Sequence, residues 1–204
     1  MSDLTRRQML GLMASAPVVA LDGHADAIRR ALEAAGAAVA DRRTRGAQFQ
    51  PRFFTAEEWR SVRVLVDLVI PRDDRSASAS DAGVPEFMDF MMLDRPQGQN
   101  AMRNGLAWLD RESRTRFNAA FADAAAAQQI RILDDIAWPD RAPEALADGV
   151  RFFNMFRDLT ASGFWSSEIG IRDLRFMGNT VNPQWNGCAE EALRKLGVSY
   201  GDEE

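Results

Sequence analysis

The chain has 204 residues, 46% of them hydrophobic and 27% charged, which suits one domain with a sizeable core. A net charge of −5 supplies no positive field for a phosphate backbone, so nucleic acid is set aside as a partner. With Cys188 the single cysteine and His24 the single histidine, an internal disulfide, a Cys/His zinc site and a histidine-based catalytic relay are excluded once a leader is removed.

The N-terminus reads as an address. Arg6 and Arg7 precede a weakly apolar run from Met9 to Leu21, too short to span a hydrocarbon core that needs about 20 residues. The order Thr5-Arg6-Arg7-Gln8-Met9-Leu10 is that of a twin-arginine (Tat) signal, with Met9 and Gly11 where Phe and Lys are usual. Ala25-Asp26-Ala27 provides a small-x-small cleavage site before Ile28. Residues 1–27 are therefore expected to be a signal segment and the folded part to be periplasmic. If removal fails, the apolar run remains as a membrane-surface tether. The Ala- and Arg-rich residues 28–52 favour helix but lack large apolar side chains, so a connector without firm docking is expected.

The domain proper is placed at residues 53–204. Its first helix is marked by Thr55 as N-cap, Glu58 reaching back, and Phe54 stapled onto Trp59; Trp59, Val62, Val66 and Val69 form one stripe, and Pro71 ends it. Asp73 to Asp81 is small and polar without EF-hand spacing, and reads as a solvated turn. Pro85 opens a second helix whose Met88, Met91 and Met92 are expected in the core rather than at a partner surface. Further helices are predicted around 101–111, 115–121, 125–136 and 144–160. With no alternating strand pattern and no repeat, the fold class is all-α, a compact irregular or orthogonal helical bundle.

Chemistry is conspicuously missing. There is no Gly-x-Gly-x-x-Gly turn, no phosphate loop, no haem attachment site and no nucleophile elbow, so neither catalytic, cofactor nor metal residues are assigned. The C-terminal third is unusual instead: Gly163-Phe164-Trp165-Ser166-Ser167-Glu168 is expected to break the helix before it, Val181 to Cys188 is too rich in Asn, Pro and Gly to be regular, and Trp165 and Trp185 lie in irregular chain. Such tryptophans either pin the loop to its own core or anchor a partner. Phe164, Trp165, Met177, Trp185 and Asn186 are the candidate partner-binding residues.

Phe54 to Glu58, Val69 to Asp74 and Asp81 to Asp89 resemble the start of the gluconate 2-dehydrogenase subunit 3 family, the gamma subunits of membrane-associated flavin dehydrogenases. Gly163 to Gly170, Met177-Gly178-Asn179 and Trp185 to Cys188 are most similar to the branch paired with glucoside 3-dehydrogenases. The resemblance implies a non-catalytic small subunit without cofactor, bound to a large FAD flavoprotein of the glucose-methanol-choline (GMC) type that passes electrons to a cytochrome c. It also implies that the small subunit carries the signal that brings the pair to the Tat translocon. Two other readings stay open: a C-terminal loop that completes the partner's substrate pocket, and a stand-alone periplasmic binding protein.

Overall fold

The structure is a computed structural model that describes residues 19–46, 48–176, 178, 183–184 and 187–200, with side chains from residue 25 onward. It is all-α: eight α-helices and three short 3₁₀ turns, with no strand among the described residues. We number the helices α1 (Val19–Arg45), α2 (Ala56–Val69), α3 (Val84–Asp94), α4 (Gln99–Phe117), α5 (Ala126–Ile136), α6 (Ala147–Trp165), α7 (Glu168–Asp173) and α8 (Glu190–Leu196).

The centre is α3, which is apolar nearly all round and therefore has to be enclosed. Val84, Phe87, Met88, Met91 and Met92 are buried beneath α1, α2 and α6, so the methionines are core residues. Pro85 and a left-handed Gly83 start the helix, and the Gln99 side chain donates to the Met92 carbonyl near its end at 2.8 Å. Gly83 is required twice over: its φ is +83°, and a Cβ there would come within 2.6 Å of Val39.

Asp89, at the middle of α3 and fully buried, fixes the entry to α2. Its carboxylate accepts the backbone amides of Arg52 (2.9 Å), Phe53 (2.9 Å) and Phe54 (3.1 Å). These bonds hold Phe53 and Phe54 in the core just ahead of the Thr55 cap. The expected capping box is present: Glu58 N donates to Thr55 Oγ1 and Thr55 N to Glu58 Oε2. Phe54 and Trp59 lie 6.3 Å apart, ring to ring, as the staple requires. Arg103 of α4 closes the cluster from outside, bonding both Glu58 oxygens and the Phe53 carbonyl, with its guanidinium 4.3 Å above the Phe53 ring.

Three expectations need correction. Residues 28–45 do not form a loose connector: α1 runs antiparallel to α3 and buries Ala27, Ala31, Ala35 and Val39 along one i, i+4 row. Firm docking does not need large side chains when the facing surface, here containing Gly83, lets the backbones come close. The two helices expected at 101–111 and 115–121 are one, α4, because nothing between them breaks it; Asp110–Arg114 and Glu112–Arg116 pairs support it, and it ends at left-handed Asn118. Nor does α6 stop at 160: it continues through Gly163 to Trp165, which is therefore helical, and the expected break falls at Ser166 and Ser167. A Cβ at Gly163 would lie 2.7 Å from the Phe87 ring, so the glycine marks a close helix crossing.

The same device joins α4 to α6. A Cβ at Gly105 would sit 1.9 Å from Phe152, and one at Gly149 would sit 2.3 Å from Trp108. Each glycine thus receives an aromatic ring from the opposite helix.

Removing the Asp89 carboxylate leaves three backbone donors without a partner inside the core. We expect Asp89→Ala to lose about 3 kcal/mol or more, lowering the melting temperature by roughly 10 °C, with Asp89→Asn between it and the wild type. Thermal melting followed by circular dichroism checks the order.

Candidate partner-binding surface

At the end of α6 the chain doubles back into α7 through a two-residue link. Ser167 serves both sides of it, donating its hydroxyl to the Phe164 carbonyl (2.7 Å) and accepting the Gly170 amide (3.1 Å). The fold-back is tight enough that a Cβ at Gly170 would lie 2.0 Å from the Phe164 carbonyl oxygen. The far end of α7 closes in a Schellman motif: Phe176 N bonds Ile171 O (3.1 Å), Arg175 N bonds Arg172 O (3.0 Å), and Arg175 is left-handed at φ +53°.

A helix of six residues cannot bury both its faces. Ile169 packs on the core, whereas Ile171, Leu174 and Phe176 are left outside, the last two 55% and 60% exposed. Trp165, 38% exposed, ends the preceding helix, its ring edge-on to Phe164 at 4.9 Å. Four large apolar side chains within twelve residues thus lie at the surface where isolated ones are normal, which is the usual mark of an interaction site. A groove of about 290 Å³ between α1, Gly83 and the α6–α7 link runs up to this region, lined by Leu32, Val39, Phe87 and Ile169.

The loop between α2 and α3 buttresses α7. Arg75 donates to the Asp173 carboxylate at 3.0 Å and to its carbonyl at 3.2 Å. The loop is itself held by short side-chain bonds. Asp73 accepts the Arg75 and Ser76 amides, which lower its pKa. Asp67 takes the amide and hydroxyl of Ser80. Burial of Asp81 is the largest influence on its carboxyl and acts upward, but the Ser78 hydroxyl and amide with Arg72 and Arg42 outweigh it, so its pKa falls. These carboxylates are occupied in ordering the loop, and no metal-holding group of three or more His, Cys, Asp or Glu exists among the described residues.

Of the residues expected to meet a partner, Trp165 is at the surface. Phe164, one residue before it on α6, is a core residue, 1% exposed, and its ring does not reach the surface. Met177, Trp185 and Asn186 lie outside the described residues, as do Arg6 and Arg7 of the signal. Sequence reasoning missed Ile171, Leu174 and Phe176. Their signal was an apolar pair at i, i+3 on a helix too short to be enclosed.

A search by family matches the description "Gluconate 2-dehydrogenase subunit 3" over residues 56–183. The chain belongs to that family. No match was found among curated proteins or among solved structures. The family region begins at the first residue of α2 and includes the exposed apolar surface; α1 lies ahead of it.

An ion pair near each end of the seam ties the packed α1 to the family core. Arg30 bonds Asp94 (2.9 Å) near one end; Arg42 bonds Glu86 Oε1 (2.9 Å) and the Ser80 carbonyl (3.3 Å) near the other. Glu86 is buried, and among the described residues its Oε2 has no hydrogen-bond partner. Burial therefore raises its pKa, against the pull of its own backbone amide, Arg42 and Arg63.

A carboxyl with a raised folded pKa stabilises the fold below its unfolded pKa, and that contribution is lost as the pH rises through the folded value. We expect Glu86→Gln, which keeps an acceptor for Arg42, to melt no lower than the wild type at pH 7. Its advantage should shrink as the pH falls toward about 4.5 and below. Melting curves of both proteins across this range check the sign.

Proposed function

We propose that the chain is the non-catalytic small (gamma) subunit of a periplasmic FAD-dependent sugar dehydrogenase of the GMC type, with glucoside 3-dehydrogenase as the specific system. Its work is to escort, export and stabilise the large flavoprotein. The observation that carries this reading is membership of the gluconate 2-dehydrogenase subunit 3 family over residues 56–183. The tail motifs from Gly163 to Cys188 direct it to the glucoside 3-dehydrogenase branch.

Two further features support it. The apolar surface of Trp165, Ile171, Leu174 and Phe176 suits a flavoprotein whose own surface covers it, since lasting interfaces resemble a core cut in two. The arginine pair ahead of a short apolar run suits a Tat address, and a route that exports folded proteins suits a partner that must take up FAD first. FAD then resides in the large subunit and electrons leave it to a cytochrome c. Among the described residues no helix is long and apolar enough to cross a membrane.

Co-expression with the neighbouring large-subunit gene tests the proposal. The purified pair is expected to carry flavin and to oxidise a glucoside at its 3-position, whereas this chain alone is helical, colourless and poorly soluble. Flavin bound to the isolated chain overturns the non-catalytic reading.

Two variants follow. Replacing Arg6 and Arg7 together by Lys is expected to leave the pair in the cytoplasm, read by fractionation and dehydrogenase activity. Trp165→Ala is expected to weaken binding of the large subunit by about 2 kcal/mol, some thirtyfold, and Leu174→Asp to act in the same direction. Both side chains are exposed enough that the melting temperature of Leu174→Asp should stay near that of the wild type. Titration of the flavoprotein against each variant separates an interface role from a folding role.

A further inference from the structure

The small-x-small site Ala25-Asp26-Ala27 does not lie in an exposed, extended segment. It is inside the continuous helix α1, which begins at Val19, before the site, and ends at Arg45. Ala27 is 2% exposed, the first member of the seam that α1 lays against α3. Ile28, on the other side of the scissile bond, packs against the core, and Ala31 follows one turn later, also buried. The Asp26 carboxylate is turned back onto Arg29 at 2.8 Å, and Arg30 clamps the helix to Asp94 two residues beyond the bond.

Proteases work on segments that open readily, typically exposed loops, and they hold the residues flanking the scissile bond as an extended strand. Presenting residues 25–28 in that form requires α1 to unwind past Ile28 and to withdraw Ala27 from the seam. Hydrolysis adds water across the Ala27–Ile28 amide and leaves an Ala27 carboxylate and an Ile28 amine. The new ammonium group would stand at the N-terminus of the shortened α1, where the helix dipole disfavours positive charge, beside a side chain that packs on the core. Both the approach to the bond and the product are thus opposed by the fold.

We propose that the docking of α1 on α3 masks the Ala27–Ile28 bond, so that the folded protein keeps its leader covalently attached. The proposal rests on the reading of residues 1–27 as an export leader. Because the Tat route carries folded proteins, the mask is in place before the site meets a processing enzyme. The seam then has a second task beyond packing. It keeps the segment bearing Arg6 and Arg7 joined to the domain that carries the partner-binding surface.

Three substrates of purified leader peptidase decide the matter: a synthetic peptide of residues 15–35, the folded full-length chain, and full-length chains with an undocked seam. Ala31→Asp places a charge in the seam, and Leu32→Pro removes the amide that bonds the Ile28 carbonyl; neither alters residues 25–28. The peptide and both variants are expected to be cut after Ala27, and the folded wild type roughly tenfold or more slowly. If either variant fails to fold, its cleavage still reports the unmasked site. Cleavage of the folded wild type at the rate of the peptide overturns the proposal, as does a peptide that resists, which would leave no site to mask. Intact mass of the chain from the periplasmic and membrane fractions is expected to be that of the full sequence; a chain beginning at Ile28 overturns the proposal in the cell. A full-length chain confined to the cytoplasm would instead defeat the export reading, and the peptidase rates would still decide the masking.

Discussion

The Asp89 carboxylate is the constraint around which the bundle is arranged. A buried carboxyl group costs several kcal/mol unless its lone pairs are filled, and here three successive backbone amides fill them. Those amides belong to residues 52–54, so the requirement to satisfy one side chain of α3 dictates where the chain must pass before α2 begins. Phe53 and Phe54 are carried into the core by the same bonds, and Thr55 is left in the extended conformation (φ −67°, ψ 166°) that an N-cap needs. Arg103 then takes up Glu58 and the Phe53 carbonyl from α4. One carboxylate thereby fixes the relation of α2, α3 and α4.

Much of this was legible from the residues. The box of Thr55 and Glu58, the staple of Phe54 on Trp59, the stop at Pro71, the start at Pro85 and the buried methionines all depend on local spacing, which a sequence displays directly. Asp89 itself was not legible, because nothing local distinguishes a buried aspartate from a solvated one in the run Glu86-Phe87-Met88-Asp89. The docking of α1 was missed for a related reason. Burial of alanines at i, i+4 spacing depends on the partner surface offering Gly83, and that complementarity becomes visible only when both helices are in place. Gly163 shows the same limit: it belongs to the run that ends α6, yet it is still helical, and its missing Cβ is the space that Phe87 fills.

The exposed apolar surface was half legible. Trp165 drew notice because a large indole in a Gly- and Ser-rich stretch needs an explanation, whereas Phe164 beside it gave the same sequence signal and faces the core. Adjacent helical residues diverge by about 100°, so a pair of neighbouring aromatics at a helix end divides between inside and outside. Which is which follows from the packing of α6 on α3, a tertiary fact. Ile171, Leu174 and Phe176 are exposed because Gly170 and Ser167 turn α7 so sharply that one side of it rests on the α6 terminus and the other has nothing above it among the described residues.

A surface of this kind is useful only if it is held still, since ordering a mobile segment on association costs part of the binding energy. The α7 turn is a short helix that would be marginal in isolation, and its Schellman closure uses a left-handed Arg175 where glycine is easier. Its rigidity has to come from neighbours. Arg75 supplies it from the loop whose own shape is set by Asp67, Asp73 and Asp81, and that loop is tied through Ser80 to Arg42 of α1. Arg42 in turn rests on Glu86, one turn from Asp89. The chain of contacts runs from buried Asp89, through the aspartates of the loop, to the exposed apolar helix, so the acidic residues of the loop have a structural assignment: they transmit the order of the core to the exposed apolar surface.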